Sequence, residues 1–125
     1  MKREQVTTAN APGTVAPYSQ GIKTDNLLFI SGQIPIDMKT GQFPDSIAEQ
    51  TRCCLQHLDA IAKAAGTKLE NAVKLTVFLT DMNDFAEMNA MYESFFSGVL
   101  PARSTVVVRA LPKDAPIEIE AICAL

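Results

Sequence analysis

Three charged residues are spaced so that they could do chemistry. Arg103 stands in Pro101-Ala102-Arg103-Ser104-Thr105, at the mouth of the apolar run Thr105-Val106-Val107-Val108, and Glu118 and Glu120 interrupt the otherwise apolar stretch Ile117 to Cys123. A guanidinium offers planar paired donors that match a carboxylate or phosphate in a fork, which an ammonium cannot do. A carboxylate beside such an anion site can orient or activate a water. Two readings follow from the residue types: a pocket for a small anion, or a structural ion pair between Arg103 and Glu118 or Glu120.

Other chemistries are poorly supplied. The chain has one histidine, His57, which falls beside Gln56 and off the apolar stripe of its segment, so it is expected on the solvated surface rather than as a base. Cys53, Cys54 and Cys123 give neither a CxxC spacing nor an even disulfide framework, and they read as reduced thiols with no metal-ligand pattern. With 11 basic and 14 acidic residues among 125, net charge −3, the chain lacks the footprint of a phosphate-backbone binder, and no nucleic-acid partner is expected. There is no apolar run of about 18 residues to span a membrane, and Met1-Lys2-Arg3-Glu4-Gln5-Val6 has no apolar stretch behind its basic residues. A soluble, cytoplasmic protein of one domain, residues 1–125, is the expectation.

The elements that must position Arg103 and the glutamates follow from periodicity. A loop holding Pro12, Gly13 and Pro17 precedes two strand segments, Gly21 to Thr24 and Leu27 to Ser31, joined by Asp25-Asn26 as a hairpin, with Gln5 to Thr8 as a further short strand. Ser46 with Glu49 fits a capping box. Ile47, Thr51, Cys54, Leu55, Leu58, Ile61, Ala62 and Ala65 then mark one face of a helix that Gly66 stops. Asn71 to Thr80 reads as a strand. Asp84 with Glu87 suggests a second cap, before the helical stripe Phe85, Met88, Tyr92, Phe95 and Phe96, with Asn83 and Asn89 as polar residues on or near that helix. Strands over Ser104 to Leu111 and Ile117 to Cys123 complete an α+β order of hairpin, helix, strand, helix, strand, strand.

Both helices are expected on one face of a mixed sheet. Val106, Val107, Val108, Val73, Leu75, Val77, Phe78 and Leu79 are nevertheless apolar on both alternating faces, so the second face should pack against copies of the chain.

Five motifs, in order and over nearly the whole chain, resemble those of the Rid family, the reactive intermediate deaminases also called YjgF/UK proteins. They are Ala16-Pro17-Tyr18-Ser19-Gln20, Ile30-Ser31-Gly32-Gln33, Asn89-Ala90-Met91-Tyr92, Pro101-Ala102-Arg103-Ser104 and Ile117-Glu118-Ile119-Glu120-Ala121. The resemblance implies a chorismate-mutase-like fold, a homotrimer with a central β-barrel-like core and ligand clefts between subunits, and hydrolysis of 2-imino acids or their enamine tautomers, such as 2-iminobutanoate and 2-iminopropanoate, to 2-keto acids and ammonia. No cofactor or metal is implied. By the same resemblance Arg103 clamps the substrate carboxylate and Glu120 positions or activates water, while Tyr18, Ser31, Gly32, Asn89 and Thr105 line the cleft. Two residues depart from the pattern. Thr105 stands where the archetypal imine deaminases carry cysteine, and Ala16 where glycine commonly precedes Pro-Tyr-Ser-Gln. Two other activities compete with turnover: binding a carboxylate metabolite as a regulator, and the ribonuclease or translation-inhibitor activity attached to some family names, against which the acidic composition counts.

Overall fold

The computed structural model describes residues 1–125. Six strands, β1 (Glu4–Val6), β2 (Gly21–Thr24), β3 (Leu27–Gln33), β4 (Ala72–Leu79), β5 (Ala102–Val107) and β6 (Ile117–Ala124), form one sheet in the order β1-β2-β3-β6-β4-β5. Only β4 and β5 are parallel. Helix α2 (Phe85–Glu93) is the crossover that parallel neighbours require, while α1 (Ile47–Ala64) joins β3 to β4 and packs on β3, β6 and α2.

The long helix forms where its sequence dictates. Ser46 Oγ accepts a hydrogen bond from Glu49 N at 3.1 Å, and every residue of the expected stripe from Ile47 to Ala65 is buried. At the other end Gly66 takes φ +90°. Its N–H reaches Lys63 O and that of Thr67 reaches Ala62 O, the paired bonds that close a helix through a left-handed residue. One apolar core lies between the helices and the inner sheet face, where Leu28, Ile30, Leu75, Val77, Leu79, Ile117, Ile119, Ala121 and Cys123 meet α1 and Met88, Tyr92 and Phe96.

The outer face of the sheet is bare in the single chain. Phe29 and Val106 stay 44% and 42% exposed there. The double-sided apolar pattern of β4 and β5 thus corresponds to one covered face and one open one.

Several expectations need correction. His57 is buried, 5% exposed, because the segment from Pro35 to Asp37 folds over that side of α1; its Nε2 lies 2.7 Å from Ile36 O and 3.3 Å from Cys53 Sγ. Carbonyl oxygens only accept, so Nε2 carries a proton. Asp84 makes no cap hydrogen bond. Asp81 accepts from Asn83 N at 2.9 Å instead, and Glu87 Oε2 accepts from Ala48 N at 3.1 Å, tying α2 to the start of α1. Helix α2 ends at Glu93, short of Phe96, and β5 runs from Ala102 to Val107, so it begins before Arg103 rather than at Ser104.

Candidate functional site

Strand parity decides where each candidate points. Leu75 pairs with Arg103 and is fully buried on the helix side, so Arg103 shares that side; Thr76 pairs with Glu120 and Phe78 with Glu118, so both glutamates lie on the open side. Within one chain, Arg103 and the two glutamates are on opposite faces of the sheet. The five ion pairs of the chain include neither Arg103 nor Glu118 nor Glu120. The structural pairing considered from the sequence is therefore not made here.

The open face holds an acidic cleft of about 380 Å³, lined by Tyr18, Ser31, Gly32, Ile34, Pro112, Glu118 and Glu120. A bulge shapes it. Between Ile30 and Gln33, β3 advances three residues while its partner β6 advances two, from Ala121 to Ile119, so the ladder opens at Ser31 and Gly32. The opened backbone is held by Ser31 N, which donates to Gln20 O at 2.9 Å, and by Ser31 Oγ, which donates to Ser19 O at 2.6 Å. Gln20 in turn fixes the loop that leads to Tyr18: Thr8 N donates to its Oε1, and its Nε2 donates to Thr8 O and Pro12 O. Gly32 leaves room for Glu118, since a Cβ there would lie 2.8 Å from Glu118 Cδ and the end of that side chain would have to move aside. Burial pushes the Glu118 carboxyl above its ordinary value, and the charge of Glu120 adds to the rise. The i, i+2 spacing of Glu118 and Glu120 already places both on one strand face.

The other candidates gather at the sheet edge. Phe85, Asn89 and Tyr92 recur along one face of α2, and Arg103 and Thr105 along one face of β5. These rows meet: Arg103 Cζ lies 4.7 Å from the Tyr92 ring centroid and 5.8 Å from that of Phe85. Asn89 Oδ1, Tyr92 Oη and Thr105 Oγ1 are the buried side-chain polar atoms without a hydrogen-bond partner, and all three belong to these rows. Leaving such a group unpaired costs about 1–3 kcal/mol, so three on adjoining rows are expected where a ligand or another chain supplies partners. Burial raises the Tyr92 phenol, with the Arg103 charge opposing, so its hydroxyl is a protonated donor.

The remaining titratable groups offer little. Cys53 is pushed up to about 11 by burial and then by Asp37, and burial holds His57 below its ordinary value, so this neighbouring pair is a neutral thiol and a neutral imidazole. No group of three or more His, Cys, Asp or Glu side chains is placed to hold a metal ion.

The class defined by these features is an α+β protein whose single sheet is backed by two helices, with an acidic cleft on its open face and an arginine recess at its edge. The chain belongs to the endoribonuclease L-PSP family, whose model matches residues 8–125. It is 54% identical over 123 residues to the RutC family protein y4sK of Sinorhizobium fredii, covering 98% of each chain. It is 50% identical over 120 residues, 94% of each, to the 2-iminobutanoate/2-iminopropanoate deaminase of Escherichia coli K12. The crystal structure of the YjgF gene product from E. coli superposes with a TM-score of 0.93 at 48% identity, over 97% of this chain and 98% of that one. The Rid/YjgF resemblance drawn from the five motifs is borne out.

Proposed function

We propose that the chain is a deaminase that hydrolyses 2-imino acids, such as 2-iminobutanoate and 2-iminopropanoate, to 2-keto acids and ammonia. The observation that carries this reading is the division of the site: a guanidinium without a carboxylate partner, on rows that also carry three unpaired buried polar atoms, and an acidic cleft on the opposite face. Each half lacks what the other has. A second copy packed on the open face would bring its Arg103 to the first copy's Glu118, and the exposed Phe29 and Val106 supply the apolar surface for that contact. We therefore take the active form to be a homotrimer with a barrel-like core and clefts between subunits. The deaminase names of relatives at about 50% identity support the chemistry. The three unpaired thiols fit a reducing cytoplasm.

The reaction asks for orientation and proton handling. Arg103 takes the substrate carboxylate, with Asn89 and Thr105 beside it, while Tyr18, Ser31 and the Gly32 backbone form the opposite wall. The iminium carbon is already electrophilic. Water bonds to it as the C=N π pair moves onto nitrogen, and the proton that water loses passes to a carboxylate. Glu120, the carboxylate that the family motif assigns to the water, accepts that proton and returns it to the nitrogen, with Glu118 beside it on the same strand face. The carbinolamine then expels ammonia as its hydroxyl gives a proton back, leaving the keto acid. An enamine tautomer joins the same route once its carbon 3 is protonated. RNA cleavage finds no such fit: His57, the one histidine, is buried against the Ile36 carbonyl.

The test is an assay in which an amino-acid oxidase generates the imine and its loss is followed with and without the protein. An unchanged rate of loss would sink the assignment. Mixing Arg103→Ala with Glu120→Gln protein after joint refolding tests the shared cleft, since random trimers regain about a quarter of wild-type activity if each site draws the two residues from different copies. Light scattering at the mass of one chain would exclude the trimer.

A further inference from the structure

We infer that Tyr92 is a second recognition residue for the ligand carboxylate: its ring holds the Arg103 guanidinium in place, and its hydroxyl donates to the anion that Arg103 clamps. This rests on the reading of Arg103 as a carboxylate clamp. Tyr92 falls within the motif Asn89-Ala90-Met91-Tyr92, where Asn89 alone has an assigned part.

Most of Tyr92 needs no function. Its ring is 6% exposed, fills the core beside Met88, and lies 5.0 Å from the Phe96 ring at an interplanar angle of 41°. A phenylalanine would serve that packing equally well. The hydroxyl is what packing leaves unexplained, because it is fully buried and no group of the chain bonds it.

The neighbour of that hydroxyl gives it a use. Arg103 Cζ stands 4.7 Å from the same ring, and no carboxylate of the chain reaches the guanidinium within ion-pair distance. An arginine stacked on an aromatic face keeps its in-plane N–H donors free for a planar anion. Thr105, two residues along β5 on the same face, brings a second buried hydroxyl without a partner. A carboxylate held in the fork therefore meets two hydroxyl donors and one cation, and its oxygens have lone pairs enough for all of them.

The experiment compares wild type with Tyr92→Phe and Tyr92→Leu, using 2-oxobutanoate as the probe in calorimetric titration and 2-oxobutanamide as its uncharged counterpart. Tyr92→Phe should keep or raise the melting temperature and weaken 2-oxobutanoate binding about tenfold, which is about 1.4 kcal/mol. In imine hydrolysis it should raise KM by a similar factor with kcat within about twofold. Tyr92→Leu, which also removes the ring under Arg103, should bind more weakly still. Binding by Tyr92→Phe within about twofold of wild type overturns the inference, as does an equal loss for the acid and the amide, since only a donor to the carboxylate separates them. A wild type that binds 2-oxobutanoate but hydrolyses no imine would defeat the deaminase reading while the binding comparison still decides the role of Tyr92.

Discussion

The acidic cleft and the arginine recess are built from the same sheet in opposite ways. The cleft sits on the interior strands β3 and β6, and Gln20 and Ser31 fasten its walls to the chain's own backbone. The recess sits on β5, an edge strand, against a short helix, and it holds the unpaired buried polar atoms. The chain's own hydrogen bonds hold the walls of the first, while the second keeps buried polar atoms that no group of the chain bonds.

Substitutions on the two sides should separate these roles. The largest loss is expected from Glu120→Gln, about 10²- to 10⁴-fold in kcat if that carboxylate handles the protons, whereas Glu118→Gln should cost less than about tenfold. Equal losses would erase the distinction between them. Glu118→Gln should also alter the pH dependence of stability. The folded-state pKa of Glu118 lies above its ordinary 4.5, so the native chain binds more proton than the unfolded chain between the two values. Its contribution is therefore present below about pH 4.5 and is lost as pH rises through the folded pKa. Melting curves across that range should show the slope in the wild-type chain and a flatter one in the variant.

Next comes the recess. Arg103→Ala and Arg103→Lys should each weaken use of the ligand by about 10- to 100-fold or more, the worth of a charge-assisted fork, with the fold unchanged. Full activity in Arg103→Lys would show that attraction without geometry suffices.

A smaller effect is expected from Gly32→Ala, in which the new methyl displaces the Glu118 carboxylate. We expect a few-fold lower kcat and less than about 1 kcal/mol lower stability, read from kinetics and denaturant titration. Thr105→Cys, which restores the archetypal residue, leaves a weaker S–H donor where the hydroxyl stood and should change imine hydrolysis only a few-fold. A gain of a hundredfold would show that the native threonine is tuned for another ligand.

Much of the fold was legible because it is local. The Ser46 cap, the stripe from Ile47 to Ala65 and the Gly66 stop are all readable within one continuous stretch of chain, and each formed as written. His57 was not legible. Its burial comes from Ile36, 21 positions away, folding over the helix side that faces neither sheet nor open solvent. The second helix misled for a related reason, since Glu87 spends its carboxylate on Ala48 of the first helix rather than on its own cap. The candidate site residues could be named from motifs, but the opposition of Arg103 and the glutamates could not. That fact depends on the pairing of β4 with both β5 and β6, and a register slip of one residue would invert it.

The bulge in β3 gives the cleft an arithmetic basis. Three residues of one strand answer two of the other between Ile30 and Gln33, so the opening depends on a count as well as on the side chains present. Removing a single codon there would let the ladder close with Gln33 still opposite Ile119, leaving a chain that aligns with its relatives at almost undiminished identity and has nowhere to put a ligand. Surveys of such chains for retained activity should therefore score gaps at this point more heavily than substitutions around it.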